Sequence, residues 1–265
     1  MQKIISWNVA SVRARLENII KLLIKEQPDI VFLQEIKATI DTFPSMDFLS
    51  VGYQSIVSGQ KSYNGVAILS KHTLKNVILT LPGLDTLDAE QARFIQAEDD
   101  KGIIYISVYV PNGNPSEKDP TDMSKLNYKL KWMKTFNNHI QNLLAQGKSI
   151  VFGGDFNVIE LDTDVYNPEA YRNNALMIPS VRDMFSELNK LKVCNTIRMF
   201  NPKPHTYSFW DFQMFAWQKN WGMLLDALFV SDNLKASVVN AGIYKQVRGW
   251  NKTSDHAPIF CTLKK

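Results

Sequence analysis

The sequence predicts an α/β fold, and three observations carry that expectation. Apolar, β-branched runs of strand length alternate with amphipathic stretches of helix length from end to end of the chain. Turn formers such as Asn64-Gly65, Pro111-Asn112-Gly113 and Gly147 punctuate them. Of the 265 residues, 45% are hydrophobic, enough to bury a sizeable core. No repeat or low-complexity linker divides the chain, so a single domain over 1–265 is expected.

Residues 3–7 are apolar and β-branched and read as a buried strand. A helix follows, with Leu16, Ile19, Ile20 and Leu23 on one face, and Pro28 ends it. Residues 29–33 form a second strand, with Gln34-Glu35 at its end. Residues 65–69 form a third, entered through Asn64-Gly65, and 103–110 a longer one closed by Pro111-Asn112-Gly113. A long amphipathic helix is expected over 121–146, with Leu126, Leu130, Met133 and Ile140 as its stripe and Gly147 as its stop. Strand 149–152 runs into Gly153-Gly154-Asp155. A helix over 179–192 buries Val181, Met184, Phe185 and Leu188, and 225–231 and 258–263 are the last clear strands. Stretches 38–64, 111–120 and 160–178 read as loops.

Charge narrows the function classes only a little. The net charge of +4 and a pI near 8.9 suit a polyanionic partner but are shared by many enzymes that bind no nucleic acid. Charged residues at 21% mark a globular chain and not a disordered one. Cys194 and Cys261 lack ligand spacing, and Cys261 sits in an apolar run as a small core residue. The start MQKIISWNVA is unlike a signal peptide, and no apolar run approaches the roughly 20 residues of a membrane span. The expectation is an intracellular, cytoplasmic protein, nucleoid-associated if bacterial, with no membrane contact.

Polar residues recur at the ends of the expected strands: Asn8, Glu35, Asp155 with Asn157, Asp226, and Asp255-His256. Each has a plain structural explanation taken alone. Asn8 and Asp155 suit turns, Glu35 a solvated charge, and Asp255-His256 a surface pair. In a packed sheet, however, such positions converge along one rim. Carboxylate oxygens suit a hard cation such as magnesium or manganese, whereas four His and no Cys cluster disfavour zinc. A His paired with a carboxylate can activate water, and amide or phenol donors such as Asn157 and Tyr109 can hold phosphate oxygens. Together these are the requirements for hydrolysing a phosphodiester.

These motifs resemble those of the endonuclease/exonuclease/phosphatase superfamily, and within it the exonuclease III type of abasic-site endonucleases. Ser6-Trp7-Asn8-Val9-Ala10-Ser11-Val12-Arg13 is similar to the family's opening motif, and Leu33-Gln34-Glu35-Ile36-Lys37 to its second, whose Glu binds the metal. Tyr63 to Ser70 resembles a family strand, and Tyr109-Val110-Pro111-Asn112-Gly113 the segment with the phosphate-binding Tyr. Gly153-Gly154-Asp155-Phe156-Asn157, Leu225-Asp226 and Ser254-Asp255-His256-Ala257-Pro258 complete the order over nearly the whole chain.

The resemblance implies a four-layer α/β/β/α sandwich, two packed β-sheets flanked by helices. It implies Mg2+, with Mn2+ as the substitute, held by Glu35 with Asn8 and Asp255. Tyr109, Asp155, Asn157, Asp226 and His256 become the catalytic set: Asp226 orients His256, Asp155 and His256 divide the preparation of water, and Asn157 and Tyr109 hold the phosphate. Arg13, Lys37 and Asn112 stand inside the motifs as substrate contacts. Phe209, Met223 and Leu225 would wall a pocket for a flipped-out sugar that has lost its base, although ordinary core packing explains Leu225 equally well.

The implied partner is double-stranded DNA with abasic sites or 3′ ends, cut by a monomer on the 5′ side of the abasic site, with 3′-to-5′ trimming as a companion activity. The alternatives are a superfamily enzyme for RNA or phosphoinositide and a DNA-binding module without catalysis. Three positions depart from the family pattern: Ser11 for Gly, Leu224 for Arg, and Asn195 for Asp. An Arg lost at 224 implies weaker duplex binding, so Leu224→Arg is expected to tighten it. Phe215, Trp217 and Trp221 in the loop 212–221 either stack on unpaired bases or pack beneath the loop.

Overall fold

The computed structural model describes residues 1–264. Its strands are β1 (Gln2–Asn8), β2 (Ile30–Gln34), β3 (Gln54–Ser58), β4 (Val66–Ser70), β5 (Lys75–Ile78) and β6 (Phe94–Glu98). They continue as β7 (Ile103–Tyr109), β8 (Ser149–Asp155), β9 (Val193–Asn195), β10 (Asp226–Ser231), β11 (Val238–Ile243) and β12 (Ile259–Leu263). They form two six-stranded sheets, ordered β11-β12-β1-β2-β4-β3 and β5-β6-β7-β8-β10-β9.

Alternation along the strands builds four layers. In β1, Ile4 faces the second sheet, while Ile5 and Trp7 face the helix Leu16–Glu26. In β7, Tyr105 points between the sheets, and Ile104, Ile106 and Val108 pack under the helices Ser124–Ala145 and Pro179–Asn189. Between the sheets, Ile4, Phe32, Ile68 and Ile259 meet Ile95, Val151, Leu228 and Val230. Cys261 is buried in that layer, as the apolar run around it requires. The expected sandwich is the observed architecture.

Each sheet holds one parallel pair, β1 with β2 and β7 with β8, and a long helix makes each crossover. The pairs direct the carboxyl ends of four strands to one rim, where ligands gather in such folds. The antiparallel strands β12 and β10 bring their amino ends to the same rim.

Several expectations need correction. The stretch 38–64 is not a loop: it holds the helix Ser45–Ser50 and strand β3, anchored by buried Phe43, Phe48 and Tyr53. β3 is an edge strand, so only part of it is buried and its pattern is weak. The stretch 160–178 contains two single turns, Asp162–Asp164 and Pro168–Tyr171. The long helix starts at Ser124 and the next ends at Asn189. Strands β5, β6, β9 and β11 have no counterpart in the sequence reading, because polar residues such as Gln96, Glu98 and Asn240 interrupt their apolar runs.

Candidate active site

Strand register lines up the polar residues. Asp155, the last residue of β8, stands opposite Tyr109 of β7 and Asp226 of β10. In the other sheet Asn8 ends β1 opposite Gln34 of β2, with Glu35 next in the chain. Gly154 allows the close approach of β8 to β7, since a Cβ there would meet the Val108 carbonyl oxygen at 1.8 Å. Beneath the rim, the Gln34 amide bridges the sheets by donating to Ser6 at 3.2 Å and Ser107 at 3.1 Å.

The side chains then form one connected row. Asn8 Nδ2 donates to Glu35 Oε1 and to Asp155 Oδ2, both at 2.9 Å. His256 Nε2 lies 3.6 Å from Asp155 Oδ2, and its Nδ1 is 2.8 Å from Asp226 Oδ2. Asp226 Oδ2 also accepts from the Ser208 hydroxyl at 2.6 Å, and that hydroxyl accepts the backbone N–H of Asp226 at 3.2 Å. Asp155 Oδ1 accepts the Asn157 backbone N–H at 2.9 Å, while Asn112 Nδ2 reaches Asn157 Oδ1 at 3.4 Å. Lys37 pairs with Glu35 Oε2 at 2.9 Å.

Several of these residues sit in strained backbone. Glu35, Lys37 and Asn157 have φ near +50°, and Ser11 lies at +105°. That last angle explains why glycine suits position 11; Ser11 occupies it with its hydroxyl accepting the Ala14 N–H at 3.4 Å.

Burial and charge act together here. Burial pushes the Asp155 carboxyl well above its ordinary value, with Asp226 adding to the effect and His256 opposing it. Burial alone would lower His256, but the Asp226 and Asp155 carboxylates outweigh it and favour the imidazolium. Burial, then the Glu35 and Asp155 carboxylates, hold the Tyr109 phenol in its neutral donor form. For Glu35, burial is opposed by the Asn8 amide and the Lys37 ammonium, which keep the carboxylate ionised.

A metal would find oxygen donors on Glu35 and Asn8, with Asp255 next to His256 in the chain. Among the described residues no three His, Cys, Asp or Glu side chains cluster closely enough to enclose an ion. One or two carboxylates with room for water and phosphate is the way magnesium is commonly bound, so the donor chemistry fits a hard cation. The Asp255 carboxylate accepts the Ser254 hydroxyl at 3.1 Å, and that hydroxyl also donates to the Asn8 carbonyl.

The proposed substrate contacts divide. Phe209 and Met223 line a cavity of about 130 Å³ with Tyr166, Tyr171 and Trp221, and Phe209 packs edge-on against His256 at 4.9 Å. Leu225 does not line it; it is buried and borders a recess of about 10 Å³ with Phe185 and Arg198. Arg13 is exposed and lines a separate surface cleft with Lys21, Trp250 and Lys252.

Leu224 is 7% exposed and belongs to the inter-sheet core, so a guanidinium there would not face a phosphate. Leu224→Arg would therefore place its charge in the core and not on duplex DNA, contrary to the expected gain in binding. Asn195 caps the helix Thr196–Phe200, accepting from the N–H groups of Ile197 and Arg198, a task Asp performs equally. In the loop 212–221 Trp217 packs on Trp210 and Trp221 stacks on Tyr166, whereas Phe215 is 71% exposed.

Sequence reasoning missed Ser208, Arg93 and Lys129. Ser208 lies beside Phe209 without a motif of its own. Arg93, in an interrupted edge pattern, places its guanidinium 4.8 Å from the Tyr109 ring. Lys129 had a signal: it falls on the apolar stripe between Leu126 and Met133.

Two sheets meeting at a rim of carboxylates, amides, a phenol and a carboxylate-bound histidine define the class of metal-assisted phosphate-ester hydrolases. The chain belongs to the Endonuclease/Exonuclease/phosphatase family, whose pattern it matches over residues 5–256. It is 29% identical to an exodeoxyribonuclease III of Haemophilus influenzae, covering 99% of this chain and 100% of that protein. A 3′ phosphatase (NExo) from Neisseria, solved with a product DNA hairpin, superposes with a TM-score of 0.93 at 30% identity, over 100% of both chains. An AP endonuclease from Archaeoglobus fulgidus superposes with a TM-score of 0.92 at 30% identity, again over 100% of both chains.

Proposed function

We propose that the protein is a metal-dependent DNA-repair phosphodiesterase that cuts the backbone 5′ of abasic sites and trims 3′ ends, acting as a monomer on duplex DNA. The observation that carries this reading is the unbroken row Asp226–His256–Asp155–Asn8–Glu35 beside a cavity edged by Phe209. Water attacks phosphorus and gives its proton to Asp155, whose burial makes it basic for a carboxylate. His256, flanked by two carboxylates, serves as a donor to a phosphoryl oxygen; the P–O3′ bond breaks and the departing O3′ takes a proton from solvent to leave as the 3′ hydroxyl. Tyr109 and Asn157 donate to the remaining oxygens, and Asn112 steadies Asn157. Glu35, Asn8 and Asp255 would hold Mg2+, or Mn2+ in its place, and the cation would supply positive charge to offset that of the phosphate.

The likeness to the Neisseria 3′ phosphatase supports 3′-end processing as the second reading, while the small cavity with aromatic walls beside His256 supports a sugar that has lost its base. The deciding experiment incubates the protein and magnesium with three labelled duplexes: one with an abasic analogue, one with a 3′-phosphate end, and one undamaged. A chelator control accompanies each. Metal-dependent cutting at the analogue is expected. Processing of the 3′ phosphate alone would move the assignment to end trimming, and no reaction on any duplex would refute a DNA substrate.

A further inference from the structure

We infer that Lys129 is a positioning residue for the reaction: a buried ammonium strut that sets the two amides facing the scissile phosphate. Lys129 is 0% exposed, on the inner face of the helix Ser124–Ala145. Its Nζ donates to three backbone carbonyls: Asn157 at 2.6 Å, Ala175 at 2.9 Å and Asn112 at 3.0 Å. The three acceptors come from three separate loops, and two carry the amides at the phosphate side of the site. The three N–H groups of an ammonium match three acceptors, whereas a neutral amine offers two donors and a lone pair with nothing to accept.

Burying an ammonium without a contacting carboxylate is expensive: burial pulls Lys129 down to about 7, with Asp155 opposing, and the three carbonyls are what favour the charged form. The expense has a local return. Asn157 holds φ near +50°, a strained conformation that the surroundings must enforce, and its carbonyl makes the shortest of the three bonds. Val110 assists by accepting from Asn157 Nδ2 at 2.9 Å. The neighbouring loop is shaped around the lysine as well. A Cβ at Gly113, whose φ is +87°, would meet Lys129 Cδ at 2.7 Å, so the glycine of Asn112-Gly113 leaves room for the strut.

This inference rests on reading Asn112 and Asn157 as phosphate-side groups, and the test separates the two. Single-turnover rates and KM are measured on the abasic duplex for wild type, Lys129→Met and Gly113→Ala. Lys129→Met is also combined with Asn112→Ala and Asn157→Ala together, and unfolding midpoints are taken throughout. Lys129→Met is expected to lower kcat about 10- to 100-fold, the scale of a misplaced reacting group, with KM changed less than about 3-fold. In the background lacking both amides the same change should cost less than about 3-fold, because its targets are gone.

An equal loss in both backgrounds, or an indifferent kcat, overturns the inference. Should Lys129→Met fail to fold, Gly113→Ala decides: it crowds the strut and strains the +87° backbone beside Asn112 without removing a donor, and about a 10-fold loss in kcat is expected. Full activity in that variant overturns the inference. A wild-type protein that leaves the duplex intact overturns the phosphate reading beneath it, whereas a cutting wild type with indifferent variants overturns this inference alone.

Discussion

At the scale of single residues, the site works through short links between neighbours whose separate removal should have separable effects. Asp155 and His256 stand at the centre of the polar row, and the proposed mechanism gives both a proton-carrying role. Asp155→Asn and His256→Asn are therefore each expected to lower kcat by about 10³-fold or more in the folded protein, the range reached when a catalytic proton carrier is removed. A purified variant within about 10-fold of wild type would strike that residue from its role. Ser208 acts through Asp226: its hydroxyl donates to the same oxygen that holds His256. Ser208→Ala leaves Asp226 one donor short without removing a reacting group, so about a 10-fold fall in kcat with nearly constant KM is expected. A rise in KM alone would show that the serine serves binding instead. Leu224 tests the opposite kind of residue. It is packed between the sheets, so Leu224→Arg buries a charge and is expected to cost about 3 kcal/mol of stability. A denaturant midpoint equal to wild type would mean that the side chain escapes to solvent after all.

At the scale of elements, legibility followed burial. Strands β1, β2, β4, β7, β8, β10 and β12 lie inside the sheets, so both faces are apolar and their runs stand out, as in KIISW and IVFLQ. Of the missed strands, β3, β5, β9 and β11 are sheet edges with half-exposed patterns, whereas β6 is buried inside its sheet and was hidden by Gln96 and Glu98 in its run. Motif residues at strand ends were legible because the chain must turn there and an ordinary turn needs fewer carboxylates. Ser208 was not, because its carboxylate partner is brought near only by folding, and Lys129 showed only as a charge on an apolar stripe, its carbonyl partners being invisible in the sequence. Element ends also carry the pH dependence. Glu26, the last residue of the helix Leu16–Glu26, accepts from Lys3 of β1 at 3.0 Å and from Tyr244 at 2.7 Å. Burial would raise its carboxyl, but the Tyr244 hydroxyl and the Lys3 ammonium outweigh it and hold it below the ordinary value. A depressed carboxylate stabilises the fold above its unfolded pKa, and that contribution disappears as pH falls through the folded one. Glu26→Gln is expected to lower Tm by about 2 °C at pH 7, with the gap closing below about pH 4. A gap of the same size at both pH values would assign the loss to packing rather than charge.

At the scale of the whole molecule, the fold and the metal site are built to be independent. The inter-sheet core runs from Leu263 and Ile103 up to Ile68 and Leu228, and the Gln34 amide bridges the sheets beneath the rim. In the proposed site an ion would bind above that bridge, through Glu35 and Asn8 at the ends of β2 and β1. Glu35 has partners of its own in Asn8 and Lys37, so removing an ion does not leave it alone. Chemistry is in the opposite position. Glu35 and Asp155 share the Asn8 amide, and an anionic phosphate added beside them meets carboxylates on two sides. Lys37 and His256 are already paired with Glu35 and Asp226, so without a cation that repulsion is relieved only in part. Chelation is therefore expected to stop cutting altogether while Tm falls by no more than about 3 °C, the effect of losing one weakly held ligand. A collapse of Tm by about 10 °C or more would place the ion inside the folding core and overturn the separation of scaffold from site. Residual cutting in chelator, by contrast, would show that the protein's own donors suffice to carry the phosphate's charge.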